Sequence, residues 1–326
     1  MDERFREQID GLESDLASAR KNRDVVALRR IEGLVRQVLD QFRQDHDGES
    51  KQSDLDLAKL LNLHGQSLAA LFDLSGQMQQ IQEAVSEFRQ SLKLAEPQES
   101  PPVVFAIRAN LAFATLRYAE QINSRRLLGN SLRHLTVLKG DWPLDQAPPS
   151  LHPVINCYCL AKFRLGQVSG DRGLIKEACR DFSAFLGNRG LHGQLETMAM
   201  NNSIVATFEN ARRHRNPELL KMPISYLEPR TRSLTPNLPF LLKHLANSHV
   251  EFAKITRDTT ALGHAIGNFE MLCKLLRRFA HPGPLFSVLQ SLASASYQDR
   301  RKRRNEKWSD PKKKELGARS TALASE

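Results

Sequence analysis

The chain has 326 residues, is 40% hydrophobic and carries a formal net charge of +10. That is apolar enough for a buried core, yet no stretch approaches the roughly 18 uninterrupted apolar residues of a membrane-spanning helix. The basic balance bears on partners and solubility rather than on fold.

The opening residues MDERFREQIDGLESD are charged and lack the apolar run of a secretory signal. The expectation is a cytosolic protein, or a nuclear one in a nucleated cell. Residues 3–20 and 24–44 read as two helices. Phe5, Ile9, Leu12 and Leu16 form one apolar stripe, and Val25, Leu28, Ile31, Val35, Val38 and Leu39 form another. Two readings of residues 1–46 stay open: a hairpin that caps the segment that follows, or a homo-oligomerising segment resembling a short coiled coil. Fewer than three clean heptads are present, which favours the cap.

From residue 47 to 298 the apolar spacing stays helical. Ile81, Ala84, Val85, Phe88 and Leu92 show the three-and-four rhythm of one helix face. Clusters of Gly, Pro, Asn and Asp interrupt it, for example LSG at 74–76, VSGD at 168–171 and RHRNP at 213–217. Gly permits a left-handed helix end, Pro cannot extend a helix, and Asp, Asn or Ser caps the next one. The helices then pair as 53–73 with 77–95, 102–121 with 125–138, 150–168 with 172–186, 191–211 with 217–228, and 236–256 with 260–279. A last helix is expected over 283–303. The fold class is all-α.

The second helices repeat one pattern, a small residue four positions before a large one: Ala84/Phe88, Ser131/Leu135, Ala178/Phe182 and Ala265/Phe269. Successive copies lie 47, 47 and 87 residues apart, the last close to two periods. The missing copy falls at Met222 and Tyr226 with Pro223 between them, so that helix is expected to be short or kinked. First helices echo one another in the steps Leu111-Ala112, Leu160-Ala161 and Leu245-Ala246. A helix pair cannot bury both its faces alone, and stacked copies cover one another.

The units QMQQIQEAVSEFRQSLKLAEP (77–97), DRGLIKEACRDFSAFL (171–186) and DTTALGHAIGNFEMLCKLL (258–276) resemble tetratricopeptide repeats. The period near 45 exceeds the usual 34 of that family, and its first-helix Trp and Tyr positions are largely missing. Longer hairpin arrays of the HEAT type therefore stay open. The resemblance implies a right-handed superhelical array of antiparallel helix pairs, whose concave face, lined by first helices, binds a protein or peptide. Candidate partner-binding residues on first helices are Arg108, Asn110 and Arg117, then Lys162 and Arg164, then Asn201 and Asn202, then Lys243, Asn247 and His249. Asn amides can pair with an extended backbone and the cations with acidic groups; the alternative is an ordinary solvated face.

Signs of catalysis are sparse. No phosphate loop, dinucleotide fingerprint, HExxH or GxSxG motif occurs. Cys157 and Cys159 stand two apart, where helical side chains diverge, with no second Cys or His pair to complete a metal site. No enzyme activity, metal or cofactor is expected.

The C-terminal segment 299–326 holds ten Lys or Arg against five Asp or Glu. Arg300, Arg301, Lys302, Arg303 and Arg304 form one block, and Lys312, Lys313 and Lys314 another, with Lys307 and Trp308 between. It reads either as an arm for nucleic acid or an acidic partner, or as a solvated, partly disordered tail. The expected function is a non-catalytic scaffold or adaptor binding a protein or peptide and acting on a separately encoded effector; the alternative is a nucleic-acid-binding helical protein using its tail.

Overall fold

The structure, a computed structural model, describes residues 3–45, 51–98, 101–232, 238–278, 288–299 and 301. Among them the regular structure is helical throughout, with no strand. The helices are α1 (Glu3–Asn22), α2 (Val25–Asp45), α3 (Lys51–Ser75), α4 (Met78–Ala95), α5 (Pro101–Ile122) and α6 (Arg125–Lys139). They continue as α7 (His152–Ser169), α8 (Arg172–Leu186), α9 (Gly193–His214), α10 (Glu218–Arg230), α11 (Leu238–Thr256) and α12 (Thr259–Arg278). A further helical run covers 288–299, within the last helix expected over 283–303. The expected start of that helix, within 279–287, and the tail beyond Arg301 lie outside the described residues.

The same turn recurs between the members of each pair. A left-handed residue ends the first helix: Arg23, Gly76, Asn123, Gly170, Arg215 or Arg257, with φ of 55°, 70°, 50°, 73°, 48° and 64°. The next residue then caps the second helix in five of the six. Asp24 Oδ1 accepts from the amides of Val26 and Ala27, Asp171 Oδ1 from Gly173 and Leu174, and Asp258 Oδ1 from Thr260. Ser124 and Asn216 cap in the same way. Gln77 is the exception and offers no side-chain cap. A helix leaves its first amides without intrahelical partners, and a short oxygen-bearing side chain satisfies them. Only Gly adopts the left-handed turn without steric cost, so the three arginines there indicate that the turn is held by packing and capping.

Consecutive helices pack as neighbours: α1 on α2, α3 on α4, α5 on α6, α7 on α8 and α11 on α12, with α2 on α3, α4 on α5, α6 on α7 and α10 on α11 between pairs. First helices also touch directly, α3 with α5 and α5 with α7. The chain divides into two compact units, Met1–Ala199 and Met200–Glu326.

In the first unit the large second-helix residues Phe88, Leu135 and Phe182 are buried, and so are Gly65, Ala112 and Cys159 on the first helices. Each large residue follows its small one by 23 positions. The contact is tight at Gly65, where a Cβ would stand 2.8 Å from the Phe88 ring. The small residue one turn earlier, Ser131, is buried and donates its hydroxyl to the Ala112 carbonyl at 2.8 Å. The second unit repeats the spacing with buried Ala246 and Phe269. The first-helix position matching Ala112 and Ala246 is thus Cys159, not the neighbouring Ala161 that the sequence step suggested. Deleting such a side chain removes its transfer energy and leaves a cavity, together about 3–5 kcal/mol for a buried Phe.

In α1 the stripe Ile9, Leu12, Leu16 and Ala19 is buried, whereas Glu7, Asp10, Ser14 and Asp15 face outward. The side chain of Phe5 lies outside the description. In the second unit α10 has 13 residues and holds Pro223 and Pro229 inside it, the short helix expected there. Each proline removes a backbone donor, yet Leu220 and Leu227 stay buried and hold the helix against its neighbours. The side chain of Met222 is not among those described.

Candidate interaction surface

Three of the first-helix residues singled out in the sequence, Asn110, Arg117 and Arg164, are held by an amide or a carboxylate of the preceding first helix. On α5, Arg117 pairs with Asp73 of α3, and Asn110 donates its amide to Asn62 Oδ1 of α3 at 2.9 Å. One pair further on, Arg164 of α7 donates Nε to Glu120 of α5 at 2.7 Å and Nη1 to Gln167 at 2.8 Å. Arg117 and Arg164 stand 47 residues apart, as do Asp73 and Glu120. The same bridge is therefore made twice, each time from one first helix to the next.

Two further cations pair off the first-helix row, Arg108 back toward the preceding pair and Lys162 toward the second helix of its own. Arg108 donates to Glu96 at 2.7 Å, just past the end of α4. Lys162 sits with its Nζ 2.6 Å from Asp181 and 3.5 Å from Glu177, both on α8, and 4.9 Å from the centre of the Tyr158 ring. Burial alone would lower the Lys162 pKa; its contacts with Asp181 and Tyr158 outweigh that, and the amine lies above the usual lysine range. Lys162 is a packing cation, since a half-buried ammonium survives only with a partner.

The remaining residues belong to the second unit. Asn201 and Asn202 are half-buried on α9, and on α11 Lys243 is exposed and Asn247 half-buried. His249 is buried, 3.8 Å from Glu228 and edge-on to the His264 ring at 5.2 Å between centroids. Burial, and then the His264 charge, lowers its pKa. It is a neutral core histidine more than an outward-facing contact. Of the tail residues, Arg301 is exposed; Arg300, Lys302, Arg303, Arg304, Lys307, Trp308, Lys312, Lys313 and Lys314 lie outside the described residues.

The carboxylate half of each bridge escaped the sequence reading. Asp73, Glu120 and Glu96 were passed over, and so was Glu251 of α11, only 5% exposed, whose two oxygens accept from Arg212 of α9 at 2.7 Å each. Burial opposes ionisation of Glu251, yet Arg212 and Lys254 hold its pKa below the usual value. A signal existed: the 47-residue spacing that pairs Arg117 with Arg164 also pairs Asp73 with Glu120.

The four cysteines are thiols. Burial pushes Cys157 up to about 12 and Cys159 well above the normal thiol range, so neither is poised as a thiolate. Among the described residues, no group of three His, Cys, Asp or Glu could hold a metal ion, and no helix is long and apolar enough to cross a membrane. No protein-family model matches the chain, and no curated protein matches it.

Proposed function

We propose that the chain is a non-catalytic scaffold or adaptor, a tetratricopeptide-like array of antiparallel helix pairs with a period near 45 residues, capped by α1 and α2. It binds a protein or peptide partner along the face of its first helices. The observation that carries this reading is the twice-made bridge from one first helix to the next, Asp73 to Arg117 and Glu120 to Arg164. Between the bridged positions Gln66, Phe113 and Leu160, 47 residues apart in turn, keep part of their surface open. A row of side chains fixed by rigid helices and flanked by charges of both signs suits an extended or helical partner, since pre-ordered groups lose little entropy on binding.

The test is a photo-reactive residue placed at 113 or 160, with a control at Ser86, which is exposed on α4. In source-cell lysate the two first-helix positions should capture one discrete protein and the control should not. Arg117→Glu with Arg164→Glu should weaken that capture at least about fivefold, roughly 1 kcal/mol, with the circular dichroism spectrum unchanged. Equal capture from Ser86, or none from residue 113 or 160, removes the first-helix face from consideration.

A further inference from the structure

From α3 to α8 the described cations are sorted by helix, unlike in α2, where Arg36 and Arg43 are paired with acids. On the first helices, Lys59, Arg108, Arg117, Lys162 and Arg164 each reach a carboxylate within 4.0 Å. The second helices differ. Arg125, Arg126 and Arg133 on α6 and Arg172, Lys176 and Arg180 on α8 are all exposed. Among the described residues none of these six has an ion-pair partner. Their helices supply none: α6 contains no Asp or Glu, and both acids of α8, Glu177 and Asp181, are turned to Lys162. Charge crowding extends toward α4, because Arg108, Arg133 and Arg89 all act on the half-buried His134.

The arrangement is also repeated. Arg125 and Arg172 are 47 residues apart, and so are Arg133 and Arg180. α6 and α8 both pack on α7. Along each helix the two arginines stand eight residues apart, about 12 Å at 1.5 Å per residue, comparable to the roughly 12 Å width of a duplex major groove. Two rows of this kind can touch phosphates on both walls of a groove.

What lies between the cations selects the partner. A protein interface is anchored by buried aromatic and apolar side chains, but Val137 on α6 is the single exposed large apolar residue on these two helices. Single-stranded nucleic acid is held by stacking on aromatic rings, and neither α6 nor α8 exposes one. Arginines separated by small or polar residues such as Gly129, Asn130 and Ser183 fit phosphate oxygens, which take forked guanidinium donors well. We propose that the outward face of α6 and α8 binds the phosphate backbone of duplex nucleic acid without reading its sequence. This surface is separate from the first-helix face proposed above and from the basic tail.

The experiment measures binding of a random-sequence 20-base-pair fluorescent duplex to the full chain across a salt series. Arg125, Arg133, Arg172 and Arg180 are together changed to Gln. A control removes the same charge from exposed Arg20, Lys21, Arg29 and Arg30. The four-arginine variant should bind at least about tenfold more weakly, with a salt slope reduced by about 3 to 4. The control should fall less than about threefold, and the pair R133Q/R180Q should land between. Equal losses in the two quadruple variants would mean that net charge alone acts, and would overturn the proposal. Complete loss of binding in a 1–298 truncation would assign the duplex to the tail instead. Competition by polyglutamate as strong as by unlabelled duplex would assign the face to an acidic protein. Photo-capture at residues 113 and 160, measured on the same variant, reports the first-helix reading independently and confirms that the variant is folded.

Discussion

Two buried first-helix histidines, one from each compact unit, are treated in opposite ways. In the first unit His64 of α3 is 3% exposed and lies between two acids, 3.3 Å from Glu32 of α2 and 3.6 Å from Glu87 of α4. Burial alone would lower its pKa, but Glu87 and Glu32 outweigh that and raise it. In the second unit His244 of α11 lies against the Phe240 ring, centroids 4.3 Å apart, and its Nδ1 is buried with no hydrogen-bond partner among the described residues. Burial, followed by the Lys243 charge, lowers its pKa to about 4. The apolar rule of the helix pair is thus shared while the polar insertions are local. A buried imidazole is charged or neutral according to what the flanking helices supply.

The largest expected effect tests what the units share. Phe88→Ala and Phe269→Ala should each cost about 3–5 kcal/mol, read as separate transitions in chemical denaturation. Gly65→Ala should destabilise by pressing on the Phe88 ring, and adding Phe88→Leu should restore part of the loss, since Ala112 and Leu135 already hold that combination. A double mutant no better than the sum of its parts would break the idea that the 23-residue spacing marks one packing site.

The histidines sharpen the contrast through pH. His64 has a raised folded pKa, so its contribution is complete below the unfolded value near 6.5 and is lost as pH rises through the folded value. His244 has a lowered one. Its unfolded form takes the proton first, so stability is lost as pH falls from 6.5 to about 4, by roughly 3 kcal/mol in all. Imidazole resonances followed by NMR should show His244 neutral at pH 5, where His64 is protonated, and His64 titrating above the ordinary histidine value. In melts, His244→Gln should flatten the acid side of the second unit's profile and His64→Gln the neutral side of the first. Titration of both rings near 6.5 would erase the comparison.

Smaller effects come from the turns and bridges. Asp171→Ala and Asp258→Ala each remove a helix cap and should cost about 1 kcal/mol, whereas Gln77→Ala, which removes none, should be neutral within a few tenths. Arg117 is 51% exposed in its bridge, so Arg117→Ala should cost under about 1 kcal/mol. Arg212→Ala should cost more, because it strips one of the two cations from the nearly buried Glu251. Thermal melts that rank Arg117 above Arg212 would reverse this ordering.

The helices were legible in the sequence because the two signals used, apolar spacing and turn residues, are local. Expected bounds such as 125–138 and 172–186 match α6 and α8 within a residue. The register of first against second helices was harder. Small residues occur at both Cys159 and Ala161, both buried, and only the 23-residue spacing decides between them. At the candidate surface, Arg117, Arg164 and Asn110 were found by residue type and helix position. Their partners were not, because a bridge such as Asp73 to Arg117 joins residues 44 positions apart, and pairing at that range depends on how the helices stack. For the same reason the unneutralised cations of α6 and α8 were hidden. A charge that is satisfied and one that is not look alike in a sequence.

The buried thiols make the molecule its own opening gauge. Cys159 and Cys273 are buried, one in each unit, with pKa values raised first of all by burial. An alkylating reagent attacks the thiolate, so each is silent until its helix leaves its neighbours. Mass-resolved labelling at these two positions would then time the opening of α7 and of α12 separately in the unaltered chain. Cys273 packs with α11 and the 288–299 run, so labelling there before Cys159 would show that cluster to be the first to open.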